Sequence, residues 1–254
     1  MYIPDEFPST SVKGKRVVIT GASRGLGSVL ATAFSREGAR VVLVGRNEGD
    51  LKKLAVTLPG EYIVHTGDVR DEEFNDEIAR SVVKDFGGVD VWIANAGISP
   101  ALKQATELSM DTWRTVLDTN LTGALLGMCA AARVMEAGGR IIATSSVLGQ
   151  RSGSGLSAYN SSKAALDALV RTMAVELGPR EITVNGVAPG WFDSPLTAYF
   201  RNSPTMEDSV LGHTALGRWG TGADLPGLYL FLASAAAAFM TGVVIPLDGG
   251  YLLA

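Results

Sequence analysis

The sequence predicts an α/β protein built on one open, doubly wound parallel sheet of about seven strands, with helices on both faces. Short runs rich in β-branched residues recur along the 254-residue chain, and segments of helical length separate most of them. Buried parallel strands read as continuous apolar runs, and their connections require helical crossovers. Because no linker or change in composition divides the chain, we expect residues 1–254 to form a single domain.

The predicted strands are spaced so that a helix fits between most neighbours. They are Arg16–Thr20, Val41–Val44, Tyr62–His65, Val89–Ala94, Arg140–Thr144, Ile182–Val187 and Val243–Leu247. The predicted helices are Leu26–Glu37, Asp71–Phe86, Met110–Ala137, Ser157–Leu177 and the largely apolar Leu228–Met240. The long, aromatic-rich stretch Trp191–Gly217 breaks the alternation beyond a strand end, where ligands bind in such folds. We expect it to contain a substrate lid.

The composition argues against several classes of partner. Lys and Arg total 22 and Asp and Glu total 26, and the net charge of −4 does not suit a nucleic-acid backbone. A single cysteine, Cys129, excludes an intramolecular disulfide, and with only two histidines we expect no metal site. The N-terminus has no signal-peptide pattern, and no apolar run is long enough for a bilayer. These observations predict a soluble, cytoplasmic protein with no membrane partner.

A glycine-rich turn, TGASRGLG from Thr20 to Gly27, follows the first predicted strand and opens into a helix. Its glycines allow a sharp turn and close approach to a pyrophosphate, which the helix N-terminus attracts. NAD-using folds often place an acid after the second strand, but this chain has Gly45 and Arg46 there. A guanidinium can bind a 2′-phosphate through two hydrogen bonds. Arg24 and Arg46 therefore favour NADP(H) over NAD(H).

A Tyr-x-x-x-Lys pair lies on the predicted helix Ser157–Leu177. Tyr159 and Lys163 are four residues apart and share one helix face. A free Tyr titrates near ~10, and a nearby ammonium lowers that pKa, which suits the pair to general acid/base chemistry. The preceding strand ends in Ser145 and Ser146, either of which could bind a carbonyl oxygen.

A further polar residue, Asn120, lies inside the predicted helix Met110–Ala137, close to Gly123. Asn is a poor helix former because its side chain competes for backbone hydrogen bonds. The sequence therefore predicts a local distortion of this helix at Asn120.

These motifs, in this order, resemble the classical short-chain dehydrogenase/reductase family over nearly the whole chain. The glycine turn has the spacing Gly-x-x-x-Gly-x-Gly. The other shared motifs are Asp68-Val69, Asn95-Ala96-Gly97, Asn120, Ser146, Tyr159-x-x-x-Lys163, Asn185, Pro189-Gly190 and Asp248-Gly249-Gly250. The resemblance implies a Rossmann-type fold and hydride transfer between a nicotinamide and a carbonyl carbon. The 13-residue interval from Ser146 to Tyr159 resembles the family's catalytic interval and favours Ser146 over Ser145.

The resemblance also implies roles for single residues. Tyr159 would donate the proton, Ser146 would orient the oxygen, Lys163 would lower the Tyr159 pKa and bind ribose, and Asn120 would hold a water that links to Lys163. The implied cofactor-binding residues are Gly21, Ser23, Arg24, Gly25, Leu26, Gly27, Arg46, Asp68, Val69, Asn95, Ala96, Gly97, Tyr159, Lys163, Pro189, Gly190, Phe192 and Ser194. Phe192 and Ser194 stand where family members commonly carry Ile and Thr near the nicotinamide carboxamide.

Three functions compete. The first is NADP(H)-dependent oxidoreduction of a small-molecule ketone or secondary alcohol. The second is 3-oxoacyl-[acyl-carrier-protein] reduction, which in the family uses basic residues to dock an acidic carrier. Arg133 matches one such position, but Val175 stands where a second arginine would lie, which favours the small molecule. The third is a non-catalytic nucleotide-binding scaffold, which would usually lack Tyr159 or Lys163.

The apolar C-terminal region predicts assembly. Leu228–Met240, the last strand Val243–Leu247 and the tail Tyr251–Ala254 together are more apolar than one subunit needs. An open sheet edge and a helix that is apolar on most sides both require cover. Twofold pairing of this patch gives a closed dimer. The resemblance implies a second self-complementary patch on the long helices that bear Asn120 and Tyr159, and with both patches we expect a homotetramer.

Overall fold

Seven parallel strands form one sheet among the residues that the structure describes, as the sequence predicts. The computed structural model describes residues 7–99 and 102–253. The strands are β1 (Arg16–Thr20), β2 (Arg40–Gly45), β3 (Tyr62–Thr66), β4 (Val91–Ala94), β5 (Arg140–Thr144), β6 (Thr183–Pro189) and β7 (Val244–Leu247). They lie in the order β3-β2-β1-β4-β5-β6-β7, with every neighbouring pair parallel. β7 therefore forms one edge of the sheet, as expected.

Helices cover both faces of this sheet. They are α1 (Gly25–Arg36), α2 (Glu48–Ala55), α3 (Glu72–Phe86), α4 (Met110–Leu117), α5 (Gly123–Val134), α6 (Ser157–Leu177), α7 (Ala198–Arg201), α8 (Pro204–Gly212) and α9 (Pro226–Ala233). On one face, Phe34 of α1 and Tyr229 of α9 belong to one apolar core. On the other face, Ile78 of α3, Met128 of α5 and Val170 of α6 belong to a second core. The doubly wound Rossmann-type architecture is thus confirmed.

The order of the strands reverses at β1. The chain passes from β1 to β2 on one side, and β4 pairs with β1 on the other side. Ligands of doubly wound sheets bind at such a switch point, outside the carboxyl ends of the strands. The fold therefore brings the loops after β1, β2, β4, β5 and β6 to one edge.

The helix predicted over Met110–Ala137 is interrupted. One π-helical turn, Asp118–Thr122, separates α4 from α5, and α5 ends at Val134. The distortion expected at Asn120 is confirmed, and its cause is visible, because the Asn120 side chain accepts from Ile98 N at 2.8 Å and donates to Ile98 O at 2.9 Å. π bulges of this kind are frequent at functional sites.

The prediction of a helix over Leu228–Met240 is wrong beyond Ala233, where α9 ends. Ser234 has an extended backbone, and its hydroxyl accepts from Ala236 N at 3.2 Å, which starts a separate 3₁₀ turn, Ala235–Ala237. Serine often ends a helix in this way, because its side chain competes for backbone groups.

Two predictions extend beyond the described residues. Met1–Glu6 and Ala254, on which the interpretation of the N-terminus and of the apolar tail partly depends, lie outside them. Within residues 7–99 and 102–253, no helix combines the length and apolar character needed to cross a lipid bilayer.

Candidate active site

One large cavity, of about 980 Å³, lies at the carboxyl ends of the strands. It extends from Arg46, after β2, to Ser146, after β5. These strand ends are three strand spacings apart, about 14 Å, which suits an extended ligand. Each of the implied cofactor-binding residues lines this cavity, and so do the proposed catalytic residues Ser146, Tyr159 and Lys163. Asn120 does not line it and is fully buried.

The glycine turn forms one end of the cavity. Gly21 has φ +67°, which is unfavourable for residues with a side chain, and a Cβ on Gly27 would lie 2.1 Å from the Gly21 carbonyl oxygen. The helix can therefore begin directly on the turn only because both positions are glycine. The Asn95 amide, which donates to Thr20 O at 2.9 Å, ties the end of β4 to this turn.

The first turn of α1 is open to an anion. Arg24 occupies the N-cap, and since a guanidinium has no acceptor atom, it cannot bond the first amides of the helix. Gly25, Leu26 and Gly27 line the cavity, and the first turn of α1 carries no acid. Unpaired amides at a helix N-terminus bind phosphate well.

Charged side chains cluster at this end. Arg24 and Arg46 are exposed to the cavity, and neither forms an ion pair with another described residue. Asp50 and Glu48 also line it, and Glu48 pairs with Lys52 at 2.6 Å.

The Asp68 carboxylate, also at this end, is already engaged. Arg70 Nη2 lies 2.7 Å from Asp68 Oδ2. The hydrogen bond from Arg70, with a smaller contribution from the Arg46 charge, lowers the pKa of Asp68 below its ordinary value. Asp68 thus remains ionised.

Tyr159 and Lys163 lie near the start of α6, at the other end of the cavity. Lys163 is only 3% exposed, and its Nζ donates to Thr144 O at 2.7 Å and lies 5.7 Å from the Tyr159 ring centroid. Burial lowers the pKa of Lys163 to about 8, opposed by the negative charge of Asp167. The ammonium therefore loses its proton at lower pH than that of a free lysine.

The expectation for the Tyr159 pKa is wrong for the protein alone. Burial raises the pKa of Tyr159, and contact with the Ser146 hydroxyl opposes this only in part. Lys163 Nζ donates to the Thr144 carbonyl and lies 5.7 Å from the centroid of the Tyr159 ring. Tyr159 is thus kept as a neutral phenol, the form that donates a proton.

The two serines after β5 differ in what they contact. The Ser145 hydroxyl donates to the Asp167 carboxylate, and Ser145 is 2% exposed. The Ser146 hydroxyl accepts from Leu148 N at 3.1 Å, and Ser146 lines the cavity and interacts with the Tyr159 hydroxyl. Ser146 is therefore the better placed of the two to contact a ligand oxygen.

Asn120 lies behind Lys163. Its amide nitrogen donates to Ser162 Oγ at 3.1 Å. The Ser162 hydroxyl in turn donates to the backbone carbonyl oxygen of Tyr159 at 2.7 Å. A Cβ built on Gly97 would lie 3.5 Å from Asn120 Oδ1 and 3.6 Å from Lys163 Nζ. Asn120 Oδ1 and Lys163 Nζ therefore both face the small space beside Gly97. A side chain at position 97 would extend into that space.

Comparison with known proteins gives the family. A family model described as enoyl-(acyl carrier protein) reductase matches residues 21–252. The chain belongs to the short-chain dehydrogenase/reductase family. Gluconate 5-dehydrogenase of Gluconobacter oxydans is 32% identical to it, with 98% of each chain covered. The 3-oxoacyl-[acyl-carrier-protein] reductase of Thermotoga maritima is 33% identical, over 95% of this chain and 99% of the relative.

Solved structures of the family agree with the fold. A short-chain type dehydrogenase/reductase from Mycobacterium marinum has a TM-score of 0.89 and 34% identity, over 95% of this chain and 97% of that one. A short-chain dehydrogenase from Burkholderia cenocepacia, solved in complex with NADP, has a TM-score of 0.88 and 30% identity, over 95% and 99% of the two chains.

This short-chain dehydrogenase/reductase departs from the family pattern at Phe192 and Ser194. The Phe192 ring is buried against Gly220, where a Cβ would lie 2.9 Å from the ring. The Ser194 hydroxyl is 3.1 Å from Thr197 Oγ1, which also donates to Phe192 O at 2.5 Å. Ser194 is thus tied to its own loop, although it lines the cavity.

Sequence reasoning missed three residues of this site. Asp167 is 6% exposed, and its position four residues after Lys163, on the same helix face, is a signal that could have found it. Trp191 and Phe200 line the cavity and fall within the expected lid, but no short pattern singles them out.

Proposed function

We propose that this short-chain dehydrogenase/reductase transfers a hydride between NADP(H) and a small-molecule ketone or secondary alcohol, with Tyr159 as the general acid or base. The observation that carries the proposal is a single cavity with an open helix N-terminus and two arginines at one end and Ser146, Tyr159 and Lys163 at the other. When bound, the nicotinamide would supply the hydride.

The arginines support NADP(H) as the cofactor rather than NAD(H). Arg24 and Arg46 line the cavity without an ion-pair partner among the described residues, so both are available to a 2′-phosphate. Asp50 at the same end could instead accept from a ribose hydroxyl, and a direct comparison of the two cofactors therefore decides the point.

The chain's own groups suit the carbonyl end of this reaction. The Ser146 hydroxyl would donate a hydrogen bond to the carbonyl oxygen, and the neutral Tyr159 phenol would give that oxygen its proton. Lys163, with a pKa of about 8, would bind the ribose hydroxyls. It would also help to return a proton to Tyr159 through a water held by Asn120, whose Oδ1 faces the same space beside Gly97 as Lys163 Nζ.

Reduction of a carrier-bound 3-oxoacyl group has less support. The Arg133 guanidinium already lies 2.7 Å from Asp76 Oδ1 and 3.7 Å from Glu72 Oε1, so its charge is committed within the chain. Val175, at the second docking position, is 79% exposed and apolar. A scaffold without catalysis has less support still, because Tyr159, Lys163 and Ser146 lie together on one cavity.

A spectrophotometric panel tests the proposal. We expect NADPH oxidation with small ketones, and a lower kcat/KM when NADH replaces NADPH. Comparable or higher efficiency with NADH would overturn the cofactor assignment. The absence of turnover with every ketone and every secondary alcohol would overturn the reaction.

We also propose that the stretch 191–217 acts as a lid and that the whole chain acts as one domain. Residues 191–200 supply Trp191, Leu196 and Phe200 to the cavity, and α8 lies further out. Substrate protection of this stretch against limited proteolysis would support the lid, and equal cleavage with and without substrate would contradict it.

The exposed apolar side chains support a homotetramer. Phe239, between α9 and β7, is fully exposed, and Leu253 is 89% exposed. β7 is an edge strand whose backbone is available for pairing. Light scattering should give four times the mass of one 26.6 kDa chain, and a monomer mass at micromolar concentration would contradict the assembly.

A further inference from the structure

The wall of the cavity around Tyr159 is apolar. The side chains that form it come from the loops after β5 and β6 and include Val147, Leu148, Leu156, Trp191, Leu196 and Phe200. Val147, Leu148 and Leu156 form an apolar cluster of their own, against which Tyr159, Trp191 and Phe200 pack. A ligand carbonyl at Ser146 and Tyr159 would therefore have hydrocarbon beside it.

Trp191 is fixed in this wall by other aromatic rings. Its ring meets Phe200 edge-on with a centroid separation of 4.7 Å, and Trp219 and Tyr251 each lie 6.0 Å away. Arg151 holds Tyr251 in place, since its Nη1 donates to Tyr251 O at 3.0 Å and its guanidinium carbon lies 5.0 Å from the ring. Edge-on contacts of this kind favour one orientation of the Trp191 ring.

Charged groups are absent from this half of the cavity among the described lining residues, except for Lys163. The other charged side chains of the lining are Arg24, Arg46, Glu48, Asp50 and Asp68, all at the β1–β3 end. Lys163 Nζ donates to the Thr144 carbonyl and lies beside Tyr159. The substrate oxygen that reacts with Tyr159 would occupy this position, so Lys163 is not available to a carboxylate elsewhere on the substrate. A substrate carboxylate would have no cation to compensate for its loss of water.

Hydroxyl-rich substrates fit this half poorly as well. Of its polar side chains, Ser194 and Thr197 bond to each other, Ser145 donates to Asp167, and Thr144 pairs with Tyr229. Trp191 Nε1 is buried without a hydrogen-bond partner among the described residues, so it can donate to one ligand oxygen. Ser146 is needed at the reacting oxygen. A buried hydroxyl without a partner is costly, so a polyol or sugar chain would bind weakly here.

We propose that this half of the cavity takes an uncharged ketone or secondary alcohol with an aromatic or other flat apolar group, which packs against Trp191 and Phe200 while its oxygen meets Ser146 and Tyr159. The inference rests on the proposed function and narrows its substrate class. Trp191 and Phe200 are then the residues that set specificity.

A matched pair of substrates tests the charge requirement. Methyl benzoylformate and benzoylformate share ring and ketone, and only the second carries a carboxylate. With NADPH, kcat/KM should be at least ~10-fold higher for the ester, because the carboxylate must lose its water without gaining a cation. Equal or higher efficiency with benzoylformate, or with a keto sugar acid, would overturn the inference.

A set of variants tests the aromatic wall. Trp191→Ala should raise the KM for methyl benzoylformate about 10-fold through lost apolar contact, with a much smaller change for the small ketone butane-2,3-dione and for NADPH. Trp191→Phe should recover part of the loss. Phe7→Ala, which removes an exposed ring outside the cavity, should change none of these values. An equal loss with both ketones would contradict a specific role for Trp191.

A binding measurement separates this inference from the proposed reaction. Tyr159→Phe, loaded with NADP⁺, should bind methyl benzoylformate more tightly than benzoylformate in calorimetric titration. If the wild-type protein turns over no ketone but this binding preference holds, the proposed function falls and only the preference of this half for a neutral aromatic ligand stands. If ketones are reduced but the carboxylate binds as tightly or more tightly, only the substrate class falls.

Discussion

The two halves of the cavity are lined by chemically different groups. The β1–β3 half offers backbone amides, three carboxylates and two arginines that have no ion-pair partner among the described residues. The β4–β6 half offers aliphatic and aromatic side chains around one buried lysine. The first half suits a charged group that is recognised by electrostatics. The second suits a neutral group that is recognised by shape. Variants in one half should therefore affect one ligand and leave the other largely unchanged.

The largest effect should come from the reacting group itself. Tyr159→Phe keeps the ring and removes only the hydroxyl that would donate the proton. We expect kcat to fall by about 10²–10⁴-fold, the usual contribution of a general acid. The affinity for NADPH, measured by fluorescence titration, should change little. A variant that retains more than about a tenth of the wild-type rate would point to another acid.

The next effect concerns the charged half. Arg46→Asp should reduce the preference for NADPH over NADH by roughly 10–100-fold, because a charge-assisted hydrogen bond contributes about 1.5–3 kcal/mol. The KM for the ketone should stay nearly constant. Arg36→Ala, at the exposed end of α1 away from the cavity, is the matched control. A ketone KM that rises as much as the NADPH KM would break the separation of the two halves.

A smaller effect concerns the carboxylate next to Lys163. Asp167 faces Ser145, Lys163 and Arg171, and its negative charge raises the Lys163 pKa against the lowering effect of burial. Asp167→Asn removes that charge, so the Lys163 pKa should fall further below its present value of about 8. The ammonium form is then lost at lower pH, and the alkaline limb of kcat/KM for reduction should move to lower pH.

The control for this pH profile is Glu176→Gln, which neutralises an exposed carboxylate on the same helix. An alkaline limb that stays in place in Asp167→Asn would show that Asp167 has only a structural role. A shift of the limb to higher pH would contradict the assignment of Lys163 as the titrating group.

The smallest effect should come from Ser194→Ala. The Ser194 hydroxyl is paired with Thr197, so its loss should cost about 1 kcal/mol of folding stability and should change kcat/KM by less than roughly fivefold. Steady-state kinetics with both cofactors would measure it. A loss of 100-fold or more would mean that Ser194 contacts the nicotinamide directly.

Most of the charged half could be predicted from the sequence because its parts are local. The glycine turn is one contiguous segment, Arg46 follows directly after a strand, and the parallel sheet brings these segments to one edge. The Tyr159–Lys163 pair is equally local, since one helical turn joins the two residues. Even the distortion at Asn120 could be predicted, because a mid-helix Asn conflicts with regular helical hydrogen bonding.

The apolar half could not be predicted because its parts are distant in the chain. Trp191 contacts Trp219 and Tyr251, which lie far from it in the sequence, because of the path that the long loops take. No sequence spacing predicts these contacts. The Tyr159 pKa shift was predicted in the wrong direction for a related reason. It depends on how deeply Tyr159 is buried, which cannot be derived from a four-residue interval.

Isotope transfer tests the proposed reaction most directly. NADPH carrying deuterium at the transferable position of C4 would be incubated with the protein and a neutral aryl ketone, and the alcohol analysed by NMR and mass spectrometry. We predict one deuterium on the carbinol carbon, in a single enantiomer, and none in the Tyr159→Phe reaction above the background. Alcohol formed without deuterium at that carbon, or no alcohol with any ketone, would contradict the assignment of the cavity to hydride transfer.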